Sequence, residues 1–94
     1  MSQHNKPLFR FKKLLDLSSQ AVPGVPIVEM AGNRRVLIEN HNGVAQYSND
    51  RITVVVKMGR IIVSGRDLEI CHMSKQQLVI VGYIDTVSVE RGCH

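Results

Sequence analysis

From Ile27 to Val89 the apolar residues of this chain recur with a period of two, in runs stopped by a glycine or a polar pair. Successive side chains on a strand point to opposite faces, so that period predicts strands rather than helices. The spacing places them near residues 27–30, 35–40, 43–47, 51–57, 60–64, 67–72 and 78–89. Between them stand Gly32-Asn33, Asn42-Gly43, Ser48-Asn49-Asp50, Met58-Gly59, Gly65-Arg66 and Ser74-Lys75. Asn-Gly is the strongest short hairpin signal, because both central residues of its turn need positive φ. Met58-Gly59 and Gly65-Arg66 read as further hairpin turns, with Gly43, Gly59 and Gly65 expected at positive φ. No crossover helix fits between strands so closely spaced, which excludes a parallel α/β sheet. The expected fold is mostly β: an antiparallel meander, roll or small barrel of about 6–7 short strands.

The strand faces carry more than the strand count. Ile52, Val54 and Val56 share a face, as do Ile61 with Val63, Leu68 with Ile70, and Leu78 with Ile80. That face is the expected core. Leu37, Val55, Ile62, Val79 and Val81 point the other way. A single-layer sheet with one wet face should not be apolar on both sides. Either the sheet closes on itself, or the N-terminal segment or another subunit covers it. Large exposed apolar patches usually mark contacts, so we expect a homo-oligomer that uses these five residues.

Ninety-four residues fit one small domain with a thin core. We divide the chain into a basic segment (1–22), a β domain (23–90) and a short tail (91–94). The net charge is +4, and residues 1–20 supply +3 of it through Lys6, Arg10, Lys12 and Lys13 against Asp16. After Pro7, which suits a first helical turn, Leu8, Phe11, Leu14 and Leu15 fall on one side of an amphipathic helix. Phe9 and Leu17 blur the separation. Arg10, Phe11, Lys12, Lys13, Leu14 and Leu15 form a candidate docking element, because basic amphipathic helices bind anionic headgroup interfaces. The plainer alternative packs this helix on the sheet. The Ala21-to-Pro26 stretch ends it. No signal peptide and no run of the ~20 apolar residues of a spanning helix is present, and two cysteines make no disulfide framework. A cytoplasmic protein is the expectation.

Glu39-Asn40-His41-Asn42 is the densest polar cluster. Glu39 and His41, two apart on a strand, could serve as an acid–base pair. No nucleophile stands near them, and an Asn-Gly turn follows, so a turn in which Asn side chains bond local backbone explains the cluster better. Cys71-His72 and Cys93-His94 lack the gap usual within a zinc-ligand pair, and adjacent strand residues face opposite ways. We therefore assign no catalytic residue, no metal site and no cofactor.

The string from Ala31 to Val44, with Ile38, Glu39, Asn40, His41 and Gly43 at its heart, resembles the YqfC branch of the YabP/YqfC sporulation family. Gly59-Arg60-Ile61-Ile62-Val63-Ser64-Gly65, Asp67-Leu68-Glu69-Ile70 and Val79-Ile80-Val81-Gly82-Tyr83-Ile84 agree with it. The similarity covers roughly residues 23–89. It implies a noncatalytic role in endospore formation, in the mother cell. It also implies a membrane-embedded sporulation partner resembling YqfD, and a position that is cytoplasmic or peripheral at the membrane. The expected function is a self-associating scaffold or adaptor.

A rival resemblance is to the Sm-like barrel, which forms RNA-binding rings. Val56 to Gly65 has the flavour of that family's first motif, and Leu78 to Ile84 faintly echoes its second. No Asp-x-x-x-Asn follows Gly65, and Tyr47 and Tyr83 are the only aromatics of the β region. Phosphate binding should show clustered positive charge, whereas residues 21–94 carry a net +1. These departures argue against nucleic acid as the partner.

Overall fold

The computed structural model describes residues 24–92. The expected helix with Arg10, Phe11, Lys12, Lys13, Leu14 and Leu15 lies outside them, as do Cys93 and His94. The period-two pattern becomes six strands: β1 (Ile27–Ala31), β2 (Arg35–Glu39), β3 (Val44–Tyr47), β4 (Arg51–Val56), β5 (Gly59–Met73) and β6 (Gln77–Arg91). All neighbours are antiparallel, in the order β1-β2-β6-β5-β4-β3. The sheet is open, with β1 and β3 at its edges.

Two of the six strands are not short. The expected strands at 60–64 and 67–72 are one strand, β5, and β6 matches its length of 15 residues. A straight strand of that length would run about 50 Å, yet the longest dimension of the molecule is 36 Å. The β5–β6 ladder must bend. Its register shifts between Ser64 and Gly65 and between Arg66 and Glu69 mark the place, which is built from β-bulges. Before the bend, β5 pairs with β4 through residues 59–64; β6 pairs with β2 through residues 77–81. The bend folds these two halves face to face. Val36 and Ile38 of β2 then join Ile52, Val54 and Val56 of β4 in one core with Ile61, Val63, Leu68, Leu78, Ile80 and Ile84. The expected core face is confirmed, Ile70 being packed at its margin.

Gly65-Arg66 is therefore not a hairpin turn, and Gly65 does not have positive φ. Its role is close approach. A Cβ there would overlap the carbonyl oxygen of Tyr83 on β6. Gly43 (φ 116°) and Gly59 (φ 151°) do hold the expected conformation. The two-residue loop before β5 is Lys57-Met58, with Gly59 just after it.

Asn42-Gly43 also departs from expectation. β2 and β3 do not pair with each other. Residues 40–43 cross from one half of the fold to the other, and Asn42 N–H donates to Val55 O while Val55 N–H donates to Gly43 O. The local turn preference is real, but the core requires β2 and β4 on opposite layers.

The turns on the two layers tie the bend symmetrically. In the β1–β2 turn, Arg34 O and Asn33 O accept from Gly82 and Ile84 N–H of β6. In the β3–β4 turn, Asp50 O and Asn49 O accept from Gly65 and Leu68 N–H of β5.

Candidate interaction surface

The Ile38-to-Gly43 cluster is a cross-tie. Ile38 is fully buried in the core. Glu39 Oε2 accepts from Gln77 Nε2 at 2.9 Å. Asn40 takes a left-handed conformation (φ 65°), which Asn tolerates better than most residues. Its N–H donates to Gln76 O, and its Nδ2 donates to Val25 O at 2.9 Å. His41 is only 7% exposed. Gly43 N–H donates to its Nδ1 at 3.0 Å, which fixes the tautomer, so Nε2 carries the proton and donates to Ser74 O at 2.9 Å. One short loop thus holds the lead-in to β1, the β5–β6 turn and the start of β3. Glu39 Oε2 and both nitrogens of His41 are thus engaged within the chain. Cys71 and His72 are both exposed, and no three His, Cys, Asp or Glu side chains converge among the described residues.

The five outward apolar residues separate into two sets. Leu37 stands opposite Val79, and Val81 opposite Arg35, on the outer face of the β1-β2-β6 half. Leu37 and Val81 are half-buried and Val79 is buried. Val55 and Ile62 lie on the outer face of the β3-β4-β5 half and are half-buried. With the two cores facing each other, these outer faces point apart. The residues do not make one patch.

The first of these faces is the richer. Beside Leu37 and Val79 opens a cavity of about 210 Å³, lined also by Glu29, Met30, Ala31 and Arg35. Glu29 Oε2 is buried there without a hydrogen-bond partner among the described residues. Along β6, Tyr83 follows Val79 and Val81 at alternate positions and is 39% exposed. Arg34 Cζ lies 4.2 Å and Arg66 Cζ 4.6 Å from its ring centroid. β6 runs between β2 and β5, so Arg34 comes to Tyr83 from the β2 side of the strand and Arg66 from the β5 side. Arg34 Nε also donates to Gly82 O at 2.9 Å. No carboxylate pairs with either arginine among the described residues. The two charges are at most about 9 Å apart and repel by at least about 0.5 kcal/mol in water. Each cation–π contact at an exposed site contributes about 0.5–1 kcal/mol, so the stack holds without a counter-ion.

The model of the YabP family matches residues 25–92, which is the whole β domain. The chain belongs to the YabP family. It is 27% identical over 75 residues to the uncharacterized protein YqfC of Bacillus subtilis (strain 168), covering 80% of this chain and 81% of that one. No solved structure matches. The YabP-family match begins at Val25, the residue that Asn40 ties down, and ends at Gly92, whose N–H donates to Met58 O.

Sequence reasoning found the family string but not the Arg34-Tyr83-Arg66 stack. The partners lie far apart in the chain, and only the register Arg66 opposite Tyr83 brings them together. Among the described residues no helix is long and apolar enough to cross a membrane.

Proposed function

We propose that this YabP-family chain is a noncatalytic sporulation protein. It self-associates and acts as a scaffold or adaptor beside a membrane-embedded sporulation partner in the mother cell. The observation that carries this reading is the outer face of the β1-β2-β6 half. It has an apolar centre of Leu37, Val79 and Val81, an arginine–tyrosine rim, and a buried carboxylate oxygen without a partner among the described residues. Buried centres depleted in charge, with Tyr and Arg enriched, characterise protein interfaces. A buried polar atom left unbonded costs stability until something bonds it. The basic segment supports a second contact, in which Arg10, Lys12 and Lys13 meet an anionic surface and Phe11, Leu14 and Leu15 insert beside them.

The test is a cross-linked pull-down from sporulating cells, comparing the native chain with Leu37→Asp and Val81→Asp. Recovery of a membrane protein by the native chain, lost in both variants, supports the proposal. Recovery of RNA, or equal recovery by all three chains, overturns it.

A further inference from the structure

We propose that Arg34, Tyr83 and Arg66 form an oxyanion site whose ligand is a phosphate group. This inference goes beyond the self-association above, since it assigns a ligand to the arginine–tyrosine rim of that face rather than to its apolar centre.

Two guanidinium groups flank one ring at 4.2 and 4.6 Å, and neither meets a carboxylate among the described residues. Asp67 and Asp85 are near in sequence and exposed, yet they pair with neither. A cation–π contact to the ring spends none of the N–H donors of the guanidinium groups. The donors lie in their edges, and an arginine has five. Arg34 donates Nε–H to Gly82 O, which leaves its Nη donors for a ligand. Phosphate oxygens match such edges in paired hydrogen bonds.

The site is also rigid. Gly82 has φ 143°, and a Cβ there would lie 2.6 Å from Asp67 O. Gly65 admits no Cβ against Tyr83 O. Asp67 holds φ 54°. Asp67 is thus a non-glycine residue held at positive φ, and the opposite strand leaves no room for a Cβ at Gly65 or Gly82. Four turn hydrogen bonds, to Gly65, Leu68, Gly82 and Ile84, lock the same segment. Strain held in place by surrounding structure concentrates at binding sites. Side chains ordered before a ligand arrives lose less entropy on binding it.

The test uses the full chain, labelled with ¹⁵N, titrated with inorganic phosphate and with pyrophosphate at constant ionic strength. The expected result is saturable shifts confined to the Arg34 and Arg66 side chains and to amides 65–67 and 82–84. Arg66→Gln should weaken binding about tenfold, the ratio expected for one lost charge-assisted pair. Arg66→Lys keeps the charge without the planar fork and should recover only part of it. Co-sedimentation with vesicles separates the sources of the phosphate. Capture by phosphatidylglycerol but not by phosphatidylcholine, reduced in Arg66→Gln, assigns a lipid headgroup. Phosphate shifts without sedimentation assign a soluble ligand. No localised shifts and no Arg66-dependent sedimentation overturn the proposal, as do shifts of equal size in Arg66→Gln.

Discussion

At the scale of single residues, three glycines do different work. At Gly43 a Cβ would meet nothing, so alanine there meets only the strain of φ 116°. That costs about 1 kcal/mol. At Gly59 the φ of 151° is joined by overlap with the backbone of β6. At Gly65 the overlap with Tyr83 O acts alone. Backbone cannot step aside as a flexible side chain can, so Gly59→Ala and Gly65→Ala should each destabilise by about 3 kcal/mol. Since 1 kcal/mol moves Tm by about 4–8 °C in a domain of this size, thermal unfolding should show Gly43→Ala falling least of the three. Equal Tm values across the series would contradict the bend. His41 gives a second expectation. His41→Ala removes the partner of Gly43 N–H and Ser74 O in a partly buried loop and a buried ring's packing with it, at about 1–3 kcal/mol. A chemical denaturation midpoint unchanged from the native chain would show that the loop is not held by that ring.

At the scale of elements, the alternation of Ile52, Val54 and Val56 was enough to assign the core, because strand period two is a strictly local signal. The positions of most turns were legible for the same reason: Gly32-Asn33, Ser48-Asn49-Asp50 and Ser74-Lys75 all fall between strands in the structure. What local sequence could not reveal is which strands adjoin. Asn42-Gly43 reads as a hairpin, yet β2 pairs with β6, whose first residue lies beyond three intervening strands. Gly65-Arg66 reads as a turn because glycine and a polar residue interrupt the apolar run. The chain instead continues as β5, since the β5–β6 ladder gains more pairing from a bulged bend than from a reversal. The family string was visible in sequence, but its work was not. Val25, Ser74 and Gln76 are the partners of Asn40 and His41, and nothing in Glu39-Asn40-His41-Asn42 points to them. The Arg34-Tyr83-Arg66 stack depends on register alone and left no mark in the sequence.

At the scale of the whole molecule, two outer faces and one basic segment compete for the role of contact surface, and they can be told apart. Leu37→Asp and Val81→Asp place an unpaired charge on the β1-β2-β6 face; Val55→Asp and Ile62→Asp do so on the other. Ala45→Asp, at an exposed position of β3, serves as control. Light scattering at micromolar concentration should show an oligomer for the native chain and the control, and a smaller species for Leu37→Asp and Val81→Asp. A native chain that is monomeric removes self-association, and loss of assembly only in Val55→Asp and Ile62→Asp moves it to the opposite face. The segment is tested by deleting residues 1–22. The β domain from Val25 to Gly92 has its own core and its own ties, so the truncated chain should keep its unfolding transition while losing recruitment to the membrane fraction of sporulating cells. Lys12→Glu with Lys13→Glu should weaken recruitment in a salt-sensitive way if lipid charge contributes, at about 1 kcal/mol per basic residue near the surface. Phe11→Ser with Leu15→Ser should weaken it whether the surface is lipid or protein. Aggregation or unfolding of the truncated chain would instead show that the segment belongs to the fold, covering an apolar face that β1 to β6 leave open.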